Sequence, residues 1–150
     1  MTVSAHAVAN EFIKLAQKEG KSLTNMQLQK LVFISQGYSL AILDRPIYFH
    51  NTHAWQFGPV IPKLYKSLQK YGRNVVTDKL KAEDSLSEGS DEQDIVFGVF
   101  KAYGHLSGGQ LSQLTHKPNT PWSITWAKDQ FGVIPHPLIA QCYRELVSAS

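Results

Sequence analysis

One cysteine, Cys142, stands alone in a chain of 150 residues, so no disulfide can close within it. A chain without crosslinks fits a reducing compartment. No apolar run approaches the ~20 residues a membrane span needs. The opening stretch MTVSAHAVANEFIKLAQ also lacks the basic-then-apolar order of a secretory signal. From these absences we expect a soluble cytoplasmic protein. Chemistry-bearing motifs are equally scarce. There is no glycine loop to cradle a phosphate and no G-x-S-x-G nucleophile elbow, and a turn explains the pair Gly108-Gly109. Six histidines include one close pair, His50 and His53 in HNTH. Two imidazoles in a turn, with neither a second cysteine nor clustered acids, make a poor zinc site. Cys142 beside a histidine would make a nucleophile dyad, but its place on an apolar helix face suits a small core residue better. The sequence therefore calls for no catalytic residue, no metal and no cofactor.

What is present is an ordinary globular mixture, 43% hydrophobic and 18% charged, at a length that suits one domain spanning 1–150. The net charge of +3 conceals a division. Residues 1–82 carry 11 Lys/Arg against 4 Asp/Glu, whereas 83–150 carry 4 against 8. Six of the acids fall within EDSLSEGSDEQD, which we read with its flank, 78–92, as an acidic mobile loop. Such asymmetry marks either a charged partner or merely a solvated surface.

Helical periodicity dominates the chain. Ser4 is placed to cap a first helix running to about Lys18, and Gly20 to end it. Thr24 and Gln27 form a T-x-x-Q capping box for a second helix over about 25–43. That helix carries two apolar stripes on opposite sides. Leu28, Leu31, Val32, Tyr38 and Ile42 make one; Met26, Phe33, Gly37 and Leu40 make the other. A helix apolar on two sides is enclosed by neighbours, so it should be the centre of the fold. Gly37 in its middle disfavours the helix by ~1 kcal/mol relative to Ala, which points to a close crossing by another element. A fourth helix is read over 91–104, acidic at its start as the helix dipole prefers. A last one opens at His136-Pro137. The expected fold is mainly α, a compact bundle around the central helix.

The stretch HAWQFGPVIPKLYKSLQKYG, from His53 to Gly72, departs from this pattern. Pro46, Pro59 and Pro62 exclude a helix across DRPIYFHNTHAWQFGPVIP, the segment that includes its first half. Ile47-Tyr48-Phe49 and Ala54-Trp55-Gln56-Phe57 flank the polar HNTH, so a small β-hairpin is expected near 47–57. Gly58 permits a turn, Pro59 fixes its exit and Pro62 suits the first turn of the following helix. Ile61, Leu64, Tyr65, Leu68 and Tyr71 form the apolar face of that helix. Lys63, Lys66, Lys70 and Arg73 fall on the other face, a candidate surface for an acidic partner. About four phosphate contacts would alternatively give weak, salt-sensitive nucleic-acid binding. That face has no aromatic or Asn/Gln set for reading bases, so nucleic acid is the lesser reading.

Two segments are more specific. Leu23-Thr24-x-x-x-Leu28-x-Lys30-Leu31, the Gln36-Gly37 step, Ala54-Trp55-x-x-Gly58-Pro59-Val60 and Pro62-x-x-Tyr65 are followed by Leu114-Thr115-His116 and Pro121-Trp122. In this order, over nearly the whole chain, they resemble the Panacea domain. That is the family of the Soc-type antitoxin and the phage-associated Gep proteins. The resemblance implies an α-helical antitoxin that neutralises, by direct contact, a toxin encoded by an adjacent gene. At least one relative resembles an adaptor that delivers its toxin to a AAA+ protease. Some relatives carry a DNA-binding segment ahead of the domain, whereas here the pattern begins almost at Met1, so autoregulation through DNA is not expected. The resemblance also draws Thr115 and His116 in as partner-binding candidates. It marks Trp55, Gly58, Pro59, Pro62, Tyr65, Pro121 and Trp122 as positions that either anchor the core or line a partner-binding cleft.

Overall fold

The computed structural model describes residues 2–149. Helix α1 (Ala5–Lys18) starts at Ser4, whose hydroxyl accepts from the Ala7 amide. Strand β1 (Leu23–Thr24) leads into α2 (Asn25–Tyr38), where Thr24 and Gln27 form the reciprocal capping box expected of them. Eleven of the fourteen α2 residues are buried, which leaves this helix no solvent face. It is packed by α1, α4 (Asp91–Tyr103), α5 (Gly108–His116) and α7 (His136–Ser148). The central position read from its two stripes is thus observed.

The close crossing at Gly37 is observed too. A Cβ there would lie 2.5 Å from ring atoms of Tyr143 on α7. Beyond Tyr38 the helix loosens into a π-turn, Ser39–Leu43, and ends at Asp44 in the left-handed region (φ 58). The wider winding of a π-turn rotates its side chains off the helical stripe, and Ile42, read as inward, is exposed. Leu146 is likewise exposed on α7.

A β-hairpin exists, but not in the expected register. Its strands are β2 (His53–Trp55) and β3 (Gly58–Val60), with Gln56 and Phe57 as the connecting loop. Ile47-Tyr48-Phe49 pairs elsewhere. The Val3 amide donates to the Ile47 carbonyl at 3.0 Å, and the Phe49 amide donates to the Val3 carbonyl at 3.2 Å. From within, Gln36 Oε1 accepts from the Ile47 and Tyr48 amides, and Gln36 Nε2 donates to the Tyr48 carbonyl. A buried side chain and a distant residue thus satisfy backbone groups that local pairing would otherwise have claimed. The second edge of β2 is taken by 131–134. There the Ala54 amide donates to the Gly132 carbonyl and the Phe131 amide to the Ala54 carbonyl, both at 2.9 Å.

Helix α3 (Pro62–Leu68) starts with proline in its first turn and tightens into a 3₁₀ turn, Gln69–Tyr71, before Gly72 (φ 57) turns the chain away. Strand β4 (Val75–Val76) then pairs with β1. The acidic segment runs back along α1. Asn10 clamps Leu80 through two hydrogen bonds, the Asp84 carboxylate accepts from the amide and hydroxyl of Ser4, and Leu86 is buried. Helix α6 (Pro121–Lys128) completes the order of elements.

One acid of this segment, Glu92, is buried and accepts from Arg45 Nε at 2.8 Å. That hydrogen bond holds its carboxyl at about 2, against an ordinary 4.5. Because the folded value lies below the unfolded one, the pair's contribution is fully present above pH 4.5 and is lost as pH falls to about 2. We therefore expect Glu92→Gln to lower the melting temperature at neutral pH. The gap from the unsubstituted protein should close across that acid window, as thermal melts in a pH series would show. A gap that stays constant through the window would contradict this assignment.

Candidate functional site

The hairpin loop is fastened from outside by side chains. Trp122 Nε1 donates to the Trp55 carbonyl (2.6 Å), His116 Nε2 to the Gln56 carbonyl (3.3 Å) and Ser112 Oγ to the Phe57 carbonyl (2.7 Å). Two residues on, Lys30 Nζ donates to the Pro59 carbonyl at 3.0 Å, and the Ile61 amide donates to Gln29 Oε1 at 3.0 Å. Side chains of α2, α5 and α6 thus hold almost every carbonyl from Trp55 to Pro59, in a loop with few backbone partners of its own. Gly58 adopts φ +115, a conformation open chiefly to glycine. A Cβ at that position would sit 3.0 Å from Lys30 Cε and 3.3 Å from both Lys30 Nζ and Thr115 Oγ1.

The fastened loop overhangs a cavity of about 790 Å³, within the size range of ligand and anchor-residue sites. The first turns of α2 line it with Asn25, Met26, Gln29 and Lys30, and the hairpin adds Trp55 and Phe57. Tyr65 stands edge-on to Trp55, ring centroids 5.3 Å apart. Phe131 reaches the rim because Ala54 fixes its backbone, and its ring meets Trp126, which stacks on Trp122. Three of the exposed large apolar side chains, Met26 (39%), Phe57 (61%) and Phe131 (55%), surround this one opening. Clustered exposed apolar surface of this kind marks an interaction site.

Lys30 is the unusual member. Only 2% of it is exposed, and burial pushes its ammonium down to about 8. At neutral pH most of the population still carries the charge. Sequence reasoning placed Lys30 in a motif but not in the site, since a helical lysine is ordinarily read as solvent-facing. The available signal was the enclosure of α2 on both sides, which leaves a lysine at position 30 nowhere to go but inward. Gln29, Asn25 and Ser112 were missed as well; short polar side chains beside apolar stripes give no comparable signal.

The other candidates divide into groups. Thr115 is buried and donates to the Leu111 carbonyl at 2.9 Å. His116 packs edge-on against Trp122 at 4.3 Å while fastening Gln56. Pro59 and Pro121 are buried, and Pro62 and Pro121 each occupy a helix start. Trp122 is buried, but Trp55 is only partly so, with its ring in the cavity wall. Arg73 lies past Gly72, outside the helix that was to carry it, and lines the cavity. Lys63 and Lys66 on α3 and Lys70 in the 3₁₀ turn after it are exposed and do not line the cavity. His50 and His53 have separate partners: His50 packs against Phe49 and His6, and His53 Nδ1 donates to the Phe131 carbonyl at 2.9 Å. No helix among the described residues is long and apolar enough to cross a membrane.

Comparisons with known proteins agree with the motif assembly. Residues 28–123 match the family described as "Antitoxin SocA-like, Panacea domain". That span takes in Gln29 and Lys30 of the cavity wall and ends at the α6 residues fastening its loop. Antitoxin SocA of Caulobacter vibrioides (strain NA1000 / CB15N) is 30% identical over 132 residues, covering 82% of this chain and 70% of that protein. No solved structure matches the chain. With a matched span that contains the whole fastened loop and most of the cavity wall, the chain belongs to the SocA-like antitoxin family with a Panacea domain.

Proposed function

We propose that this protein is a cytoplasmic antitoxin that neutralises a toxin, encoded by an adjacent gene, by binding it directly and without catalysis. The observation that carries the reading is the ring of exposed Met26, Phe57 and Phe131 around a cavity walled by Trp55 and Tyr65. Aromatic anchors set in a rigid frame are the usual source of binding energy at protein interfaces. The fastened loop favours binding further, because its backbone has little left to order. Growth rescue on co-expression with the toxin, together with the toxin level, tests the mechanism. Rescue at undiminished toxin level, with the two proteins co-purifying in fixed ratio, is the expected result. Rescue with toxin loss that depends on a AAA+ protease would replace blocking by delivery to proteolysis.

Lys63 and Lys66 on α3 and Lys70 in the 3₁₀ turn after it enter this reading as steering charges, close to the rim residue Arg73 in sequence. Reversing them (Lys63→Glu, Lys66→Glu, Lys70→Glu) should slow association with the toxin by about tenfold at low salt and leave dissociation almost unchanged. Stopped-flow association at two salt concentrations checks it. An unchanged association rate in a variant with wild-type circular dichroism would exclude these lysines from the encounter.

A further inference from the structure

Three polar side chains on the opening turns of α2 line the cavity with hydrogen-bonding capacity left over. The Lys30 ammonium has three N–H groups and one acceptor, the Pro59 carbonyl. Gln29 commits its oxygen to Ile61, while its Nε2 has no partner, and Asn25 Oδ1 has none either. Gln29 is as buried as Lys30, at 2% exposure. None of the ion pairs among the described residues involves Lys30. A buried cation without an anion works against folding, and replacing one by an apolar side chain commonly does no harm to stability. Its presence therefore calls for a reason outside the fold. Gly58 lets the Lys30 side chain come this close to the hairpin, since a Cβ there would sit 3.0 Å from Lys30 Cε and 3.3 Å from Nζ. Donors at the base, aromatic walls and the exposed Arg73 at the edge together describe one kind of visitor.

We propose that the cavity receives an acidic side chain of the partner protein, an aspartate or glutamate whose carboxylate pairs with the Lys30 ammonium and accepts from Gln29 Nε2. A bulky apolar neighbour of that residue packs against Trp55, Phe57 and Tyr65. This inference rests on the toxin-binding reading and names the chemistry of its central contact. The carboxylate accepts from the two donors that the folded chain leaves open, Lys30 Nζ and Gln29 Nε2; Asn25 Oδ1, itself an acceptor, is not answered by it. Arg73 attracts the acidic segment before it docks.

The test uses the full chain and its cognate toxin. Lys30→Met keeps the length of the side chain and removes its charge. It should bind the toxin about 30-fold or more weakly in calorimetry while retaining its circular dichroism spectrum and melting temperature, as truncating a desolvated charge pair does. Each toxin Asp and Glu is then changed to its amide and paired with Lys30→Met in double-mutant cycles. One carboxylate should lose its effect when Lys30 is absent. The scan of toxin carboxylates against the unsubstituted antitoxin stands on its own if Lys30→Met does not fold. A scan in which no single amide weakens binding tenfold overturns the proposal. So does toxin affinity unchanged by Lys30→Met, which would leave toxin binding itself intact and move it elsewhere. The site would instead belong to a free small molecule if N-acetylphenylalanine stabilised the antitoxin alone and toxin binding ignored Lys30. Failure of the unsubstituted protein to bind the toxin at all would be a different result, one against the antitoxin mechanism rather than this contact.

Discussion

Gln36→Leu is expected to lower stability by about 4 kcal/mol, a quarter or more of the total for a domain of this size. Gln36 is fully buried, and its amide group alone satisfies three backbone groups of Ile47 and Tyr48 from the core side. Leucine fills the same volume but answers none of them. Each buried polar group left without a partner costs ~1–3 kcal/mol, and the added apolar contact returns only part of that loss. Total stability of such domains is roughly 5–15 kcal/mol, so the fraction removed is large. Gln36→Glu is the informative companion. It keeps the acceptors for both amides, loses the donor to Tyr48 and buries a carboxylate, which resists ionisation. Its deficit should therefore shrink as pH is lowered and the acid form, which can donate, takes over. Urea denaturation of both variants at several pH values measures this. A Gln36→Leu protein within 1 kcal/mol of the original would mean that the 47–48 segment is held by Val3 alone.

The second large effect is expected at Gly37. By helix propensity alone, Gly37→Ala should gain ~1 kcal/mol. Packing decides the sign instead. The added methyl would lie 2.5–2.6 Å from three ring carbons of Tyr143, far inside van der Waals contact. That ring cannot swing aside easily, since it meets Phe33 and Tyr38 edge-on, with centroids 6.2 Å and 5.3 Å away. Overpacking of a filled core costs ~1–3 kcal/mol, and contacts this short put it at the top of that range; with ~1 kcal/mol returned by helix propensity, a net loss of about 2 kcal/mol is expected. Tyr143→Leu should be destabilising alone but less so in the Gly37→Ala background. A double-mutant cycle by calorimetric melting would show that coupling. Additive losses would place the steric conflict elsewhere.

Both positions belong to the Gln36-Gly37 step, and together they show what was legible in the sequence. Helices were legible because their signals are local. Ser4, Thr24 with Gln27, and the acids at the start of α4 act within one turn of where they stand. The close crossing at Gly37 was legible because a glycine inside a strong helix needs a reason. The hairpin was misread because Ile47-Tyr48-Phe49 has strand-like residues whose backbone partners, Val3 and Gln36, lie far away in sequence and include a side chain. No local pattern carries that information. The motif residues around Trp55, Gly58, Thr115 and Trp122 could be named, yet not their relation to one another. Only the folded chain shows that His116, Trp122 and Ser112 fasten one loop while Lys30 sits beneath it. Arg73 was assigned to a helix face because 3.6-residue counting ignores the left-handed turn at Gly72.

The place where Tyr143 meets Gly37 has a consequence for synthesis. The wall that α7 builds over the central helix comes from a helix far beyond it in sequence, and the Ser4–Asp84 and Asn10–Leu80 clamps also join distant residues. Closing such long loops must precede the contacts that reward it, which slows folding. While the chain emerges from the ribosome, α2 cannot be enclosed until α7 has been made. Its two apolar stripes are then a target for chaperones and proteases, as incompletely folded apolar surface generally is. The supply of folded protein is thus limited by synthesis through α7 as well as by the number of messages translated. A nascent chain stopped short of α7 should be protease-sensitive along α2, whereas the finished protein should not.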